Sequence, residues 1–308
     1  MSHRRKTIVF VNIFFILVVF LPGLYVPVCH SSESTENPAS EINLRIVIVP
    51  EKNSFEQLRR YKYLTDYLSQ EMGMIVTVEI MANYGEISNA FKEGRADAGF
   101  FGSFSYVLTQ AQTGIEPIAR PVWLNGSTTY RGYIFVRKDS GIKTVADMKK
   151  KSLVLVDKAT TAGYFYQLFY FKYYGITKLE DYFSRISFAR SHDAAVWSVY
   201  TGESDIGGAK NHIYNEFKER YPDFKEQMLI LAESPEVPSN GIAVSKDLNP
   251  AIRARLKNLL LTLHQDEKGQ EILKNFGARR FVETTDSDYE VLYNMVKEMG
   301  TDLKNYSN

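Results

Sequence analysis

The sequence predicts an α/β protein of two lobes, each a mostly parallel sheet flanked by helices, connected by a two-strand hinge. Three observations carry this. From Leu44 onward, apolar strand runs alternate with helical patterns, as expected of parallel sheets covered by helices. The segment "YGEISNAFKEGRADAGFFGS" (84–103) is echoed in layout by "HDAAVWSVYTGESDIGGAKN" (192–211). Both contain Gly-x-x-Asp-x-Gly, at Gly94, Asp97 and Gly99 and again at Gly202, Asp205 and Gly207, an offset of 108 (205 − 97). Finally, two β-rich runs bounded by Gly or Pro, "NGSTTYRGYIFVRKDSGI" (125–142) and "SPEVPSNGIAVSKDL" (234–248), read as chain crossings. Lobe 1 is then expected at 42–128 and 241–308, and lobe 2 at 129–240. Two crossings place a ligand site in the cleft and permit closure by hinge motion.

The elements follow in order. "LRIVIV" (44–49) is an apolar strand interrupted only by Arg45. Ser54 and Gln57 have capping-box spacing and open a helix with Leu58, Tyr61, Leu64, Tyr67 and Leu68 on one face, stopped by Gly73. "IVTVEI" (75–80) is the second strand, and "YGEISNAFKEG" (84–94) a short helix ended by Gly94. "DAGFFGS" (97–103) is a third strand, leading into a helix at 103–112. The offset of 108 maps Arg45 onto Leu153, so "SLVLV" (152–156) opens the second lobe, and it maps Ser54 onto Ala162. "YFYQLFYFKYY" (164–174) is an aromatic helix built for core packing. Helices at 250–265, 267–275 and 288–299 are expected to pack back on the first lobe.

Residues 1–30 read as a signal peptide. Arg4, Arg5 and Lys6 precede an apolar run from Thr7 to Phe20, which is short for a membrane span of roughly 20 residues. The polar stretch 31–41 reads as a tether. Cys29, the only cysteine, could carry a lipid anchor, although "VPV" before it lacks the usual small residue. The expected location is periplasmic or cell-surface. Loss of the three leader cations from 37 leaves 34 basic against 36 acidic residues, a balance that suggests no nucleic-acid partner.

In open parallel sheets, ligands bind beyond the carboxyl ends of the strands. That rule selects a few turns. Thr160-Thr161-Ala162-Gly163 opens a helix, where unpaired N–H groups and two hydroxyls can cradle an anion; the rival reading is that Thr160 only caps the helix. Ser103-Phe104-Ser105-Tyr106 has the same character and the same rival. Tyr84, Trp123 and Tyr130 could wall the site, and His192-Asp193 sits on the rim at the position matching Tyr84. Ser103 likewise matches Asn211. His192, Asp193 and His212 fit no common zinc spacing, so no metal is expected. No Walker loop, Gly-x-Ser-x-Gly elbow or CxxC is present, so neither a cofactor nor enzymatic activity is expected.

The pieces "ADAGFFGSFSYV", "SLVLVDKATTAGY", "SHDAAVWSVYTGESDIGGA" and "SPEVPSNGIAVSKDL" together resemble the phosphate/phosphite/phosphonate-binding proteins of ABC importers, a branch of the type II periplasmic binding proteins. The likeness runs from Leu44 to Asp286. It implies a monomer that captures a phosphorus oxyanion between its lobes and delivers it to an ABC permease in the inner membrane. The same fold also serves ligand sensors that present a bound anion to a membrane receptor. In the family the turn at 160–162 reads Ser-Thr-Ser and cradles the oxyanion; here Ala162 removes one hydroxyl. A Tyr such as Tyr84 and a turn such as Ser103–Tyr106 complete the shell from the other lobe. Members that bind aminophosphonates carry two acidic residues for the ligand amine. Asp193 matches one, but Lys210 stands where the other would be. That reversal argues against an aminoethylphosphonate-like ligand and favours a small dianion or a second anionic group.

Overall fold

Two open sheets, built on the same plan, organise the chain. The computed structural model describes residues 43–307; the signal-peptide, tether and Cys29 expectations lie outside that range. In chain order the first part holds β1 (Asn43–Ile48), α1 (Ser54–Met72), β2 (Ile75–Ile80), α2 (Glu86–Lys92), β3 (Ala98–Phe101), α3 (Ser103–Thr113) and β4 (Glu116–Trp123). Next come β5 (Thr129–Tyr130), β6 (Gly132–Arg137), β7 (Ser152–Leu155), a π-helical turn (Thr161–Phe165), α4 (Tyr166–Tyr173), α5 (Leu179–Tyr182) and β8 (Arg185–Phe188). They are followed by α6 (His192–Tyr200), β9 (Ile206–Lys210), α7 (Asn211–Arg220), α8 (Phe224–Gln227), β10 (Met228–Glu233) and β11 (Val237–Pro238). The chain ends with β12 (Gly241–Val244), α9 (Pro250–Thr262), α10 (Glu267–Phe276), β13 (Ala278–Glu283) and α11 (Glu290–Met299).

The six-stranded sheet has the order β13-β4-β12-β3-β1-β2, and the five-stranded sheet β10-β6-β9-β7-β8. Each has a parallel triplet, β2-β1-β3 and β8-β7-β9, continued by antiparallel strands. The runs "YIFV" and "GIAV" lie inside the sheets, as β6 and β12; the crossing itself is a separate ribbon in which Thr129–Tyr130 pairs with Val237–Pro238. Strands β4, β10 and β13 extend the sheets beyond the strands the sequence suggested.

The echo is real in three dimensions, with one adjustment. Gly94 and Gly202 both adopt the left-handed conformation, at φ 65 and 80, where a residue with Cβ would be strained. Ser103 and Asn211 both begin helices. In the first strands, however, Val47 pairs with Gly99 while Val154 pairs with Gly207, so the offset there is 107 (154 − 47). Asp97 likewise accepts from the Arg45 N–H, and Asp205 from the Ser152 N–H, both at 2.8 Å. Ser54 therefore corresponds to Thr161, not Ala162, and Asn53 to Thr160. Asn53, not Ser54, is the N-cap of α1: its side chain accepts from Phe55 N and Glu56 N. Gln57 is drawn away from any capping box, accepting from Glu51 N and donating to Val49 O.

The inner strands β3, β9 and β12 are buried along their whole length because helices cover both faces. One buried cluster fills the face of the six-stranded sheet beneath α1, α9 and α10, with Leu64, Leu68, Leu256, Leu260 and Phe276. A second is continuous from Val47, Phe101 and Phe104 through to Ile134, Leu153 and Phe165 of the other sheet. The two halves are thus packed together. Phe104 stacks on Phe165 with centroids 4.2 Å apart, a contact of about 0.5–1.5 kcal/mol beyond its area.

Candidate functional site

The turn after β7 is shaped by one glycine. A Cβ at Gly163 would lie 2.3 Å from Val156 Cβ, so the backbone at 163 packs directly on the strand end. There the Gly163 carbonyl accepts from Val156 N at 2.9 Å and from Gln167 Nε2 at 3.0 Å. Beyond it the helix opens as a π-turn, with Phe165 N donating to Thr160 O and Tyr166 N to Thr161 O. Such wide turns leave more N–H groups unused at their start, and they gather at functional sites. The N–H groups of Thr161, Ala162 and Gly163 find no backbone acceptor among the described residues.

The two threonines have different tasks. The Thr160 hydroxyl donates to Asp157 O at 2.6 Å, a capping-like bond within its own turn. The Thr161 hydroxyl accepts from Phe104 N at 2.9 Å, across the interface, and keeps its own proton to donate. Ala162 packs against Gly132, whose missing side chain makes room for it.

Two buried rings lie at neighbouring strand ends, and Tyr84 N donates to Asp157 Oδ2, just before this turn, at 3.4 Å. Tyr84 and His192 meet edge to face at 6.2 Å. The Tyr84 hydroxyl and both His192 ring nitrogens are buried and have no hydrogen-bond partner among the described residues. Burial, and secondarily the charge of Lys210, push the His192 pKa well below its ordinary value, so the ring is neutral with one donor and one acceptor nitrogen. Burial also drives the Tyr84 hydroxyl well above its ordinary range, keeping it a donor. Buried polar groups nearly always have partners, so three bare atoms at one seam mark a polar binding position.

The other sequence candidates divide. Ser103 Oγ donates to Pro238 O at 2.6 Å and lies 3.2 Å from the Tyr130 hydroxyl, so it ties the helix start to the crossing ribbon. Ser105 Oγ donates to Gly102 O within its own turn, and Tyr106 reaches away to Asp286 at 2.7 Å. Phe104 contributes its backbone and its stacked ring. Asp193 accepts from Asn53 N at 3.2 Å and from Ala194 N at 2.9 Å, a bond across the interface plus a local cap. Trp123 stacks against Phe276 and lies under Arg60, with Nε1 donating to Ser239, away from the cradle.

Lys210 does something the sequence did not suggest. Its Nζ donates to Glu51 Oε1 and Asn240 Oδ1, both at 2.6 Å, and lies 4.7 Å from the Tyr130 ring centroid. Asn240 Nδ2 donates back to Glu51 Oε2 at 2.9 Å, and His212 Nε2 lies 3.4 Å from Oε1. Burial opposes ionisation of Glu51, yet Lys210 and His212 hold it well below the usual carboxylate range. The Glu51 carbonyl accepts from His192 N at 3.2 Å, so this cluster adjoins the bare ring. Lys52 and Glu216 close the solvent edge at 2.5 Å. The strand-end rule reaches Glu51, in the turn Pro50-Glu51-Lys52 after β1, but gives it no ligand role, and nothing in the sequence singles out Asn240.

Residues 46–289 match the family model described as "ABC transporter, phosphonate, periplasmic substrate-binding protein". A curated relative, the phosphate-import protein PhnD of Mycolicibacterium smegmatis, is 23% identical over 77% of this chain and 78% of its own. Among solved structures, a binding protein component of an ABC phosphonate transporter from Pseudomonas aeruginosa superposes with a TM-score of 0.77 at 16% identity, covering 84% of this chain and 87% of that one. PhnD1 of Prochlorococcus marinus, solved in complex with methylphosphonate, superposes with a TM-score of 0.74 at 18% identity, covering 84% and 99%. At these identities the structural likeness establishes the fold.

Proposed function

Because this chain belongs to the phosphonate family of periplasmic substrate-binding proteins of ABC transporters, we propose that it captures a small phosphorus oxyanion between its two halves and hands it to a membrane permease. The observation that carries the reading is the trio of bare buried atoms, the Tyr84 hydroxyl and the two His192 nitrogens, on a chain seam where Tyr84 N also donates to Asp157 Oδ2, at the strand end before the Thr160–Gly163 turn. Binding breaks no bond, and nothing in the cluster pairs a nucleophile with a base. The ligands named for the relatives, phosphate for one and methylphosphonate for another, are both small phosphorus oxyanions.

The neutral state of His192 narrows the ligand class. One nitrogen donates and the other accepts. An accepting nitrogen suits an oxyanion that keeps one O–H. Phosphorus oxyanions titrate close to neutral pH, with a second pKa of about 6 for a phosphate monoester, so the form that keeps one O–H is accessible to binding. Sulfate, with no proton, would set a lone pair against a lone pair. The Lys210 ammonium is already engaged by Glu51 and Asn240, so it contributes to the field of the site without needing to touch the ligand.

Calorimetry with phosphate, phosphite, methylphosphonate, sulfate and simple carboxylates tests the reading. A bound oxyanion at 100 times its Kd should raise stability by about 2.7 kcal/mol. A response to carboxylates alone, or an equal response to sulfate, sinks it. Thr161→Val should weaken binding and loosen the interface by removing the acceptor of Phe104 N, while Thr160→Val should act mainly on its own turn.

A further inference from the structure

The aromatic helix after the Thr160–Gly163 turn packs into the core, yet it carries one buried amide. Gln167 is inaccessible to solvent. Its Nε2 donates to Gly163 O at 3.0 Å, while its Oε1 has no partner among the described residues. A bare buried acceptor is costly, and an apolar side chain of similar size would avoid it. The fold also leaves out a side chain to hold this amide. A Cβ at Gly208, in the middle of β9, would lie 2.1 Å from Gln167 Nε2. Glycine inside a strand weakens the strand, so two unfavourable choices serve one hydrogen bond.

That bond decides the shape of the turn. A carbonyl oxygen has two lone pairs, and at Gly163 they go to Val156 N and Gln167 Nε2. None is left for the backbone N–H of Gln167, the donor that an α-helix would assign to it. The helix accordingly opens with bonds of one residue longer span, Phe165 N to Thr160 O and Tyr166 N to Thr161 O. In an α-helix Thr160 O would take the Tyr164 N–H instead. Here Tyr164 N joins the N–H groups of Thr161, Ala162 and Gly163 in having no backbone acceptor among the described residues. The wide turn thus offers a fourth backbone donor where Ala162 supplies no hydroxyl. Asp157, at the head of the same turn, accepts from Tyr84 N, which ties the turn to the strand end bearing the bare Tyr84 hydroxyl. We propose that Gln167 is a positioning residue for oxyanion binding: by occupying the Gly163 carbonyl it keeps the turn wide and the Tyr164 N–H free for the ligand. The proposal rests on the oxyanion reading, and it requires no contact between Gln167 and the ligand.

Calorimetry of the mature protein with inorganic phosphate and with methylphosphonate, on the wild type and two variants, tests this. Gln167→Leu returns the Gly163 carbonyl to the helix backbone. The turn should narrow and affinity should fall roughly tenfold or more, the effect of one bond to a charged group, while the ligand-free protein melts close to wild type. Proline has no N–H, and its ring excludes the carbonyl four residues before it. Gln167→Pro should therefore hold the turn wide without an amide and recover most of the affinity that Gln167→Leu loses. A role in packing alone predicts the opposite order, with the larger loss in the proline variant. Wild-type affinity in Gln167→Leu, or a proline variant no tighter than the leucine one, overturns the positioning role. If either variant fails to fold, a crystal structure of the wild type with methylphosphonate decides. The Tyr164 N–H on the oxyanion, with Gln167 Nε2 on Gly163 O, upholds the proposal; a Tyr164 N–H turned to Thr160 O overturns it. A wild type that binds neither anion overturns the oxyanion reading and the proposal with it. Binding that is indifferent to Gln167 removes the positioning role and leaves the oxyanion reading standing.

Discussion

A single methyl group tests the cradle at the residue scale. Gly163 has no positive φ, so its need is for space: an added Cβ would strike Val156 at 2.3 Å and crowd Thr160 Oγ1 at 2.9 Å. Overpacking of this kind costs about 1–3 kcal/mol. Gly163→Ala should therefore lower the unfolding free energy measured in urea by that amount and weaken oxyanion binding with it; a wild-type melt would mean that Val156 moves aside. Tyr84→Phe removes a hydroxyl with no protein partner, so stability should hold while affinity falls roughly ten- to hundredfold, for a bond to a charged acceptor of about 1.5–3 kcal/mol. Unchanged affinity would assign that hydroxyl to something other than the ligand. Tyr84 and His192 were legible in the sequence because the internal echo set both at strand-to-helix turns. Glu51 was placed on the rim by the same rule, but its pairing with Lys210 and Asn240 was not legible. Their bonds join positions 159 and 189 residues from their partners, and no local pattern encodes such a pairing.

Between residues and fold lie the elements, and here local chemistry decided most boundaries. Gly73, Gly114, Gly277 and Gly300 all end helices with left-handed φ, as a helix stop requires. The start of α1 was read one residue late, because Ser54 and Gln57 have capping-box spacing while Asn53 makes the actual cap. Asn53→Ala should cost about 1 kcal/mol, and Ser54→Ala should stay within about 0.5 kcal/mol. Equal losses at the two positions would restore the capping box. Strands β4 and β13 escaped notice for a different reason. "EPIARPVW" carries two prolines and "ARRFVE" two adjacent arginines, so neither shows the alternation of a strand. They are strands because they pair with each other and β4 pairs on its other side with β12, with register shifts that accommodate the irregular residues. Tertiary pairing overrode local pattern.

Across the whole molecule, acid should undo the interface in two stages. His192 and His212 are both held below 6.5 in the fold, chiefly by burial. Below 6.5 the unfolded chain therefore takes up protons that the folded chain refuses, and stability falls as pH drops. Glu51 is held well below 4.5, so its contribution is present above 4.5 and is lost as pH falls through its folded value. Urea unfolding from pH 8 to 4 should show a decline starting near 6.5 and steepening below 4.5. A flat profile would mean that the groups are solvated. The two-sheet architecture was legible from alternation and the echo, since both follow from periodicity. The closed packing of the halves was not, because it depends on Phe104, Phe165 and Thr161 meeting across 57 or more positions.

The strand order β13-β4-β12-β3-β1-β2 has a consequence in time. A chain emerging from the ribosome can assemble β1, β2 and β3 early, yet β3 and β4 cannot be joined until β12, more than a hundred residues later, slips between them. The five-stranded sheet needs only one uninterrupted stretch. The half that begins first is therefore the half that finishes last, and a nascent chain spends that interval with an unsealed edge.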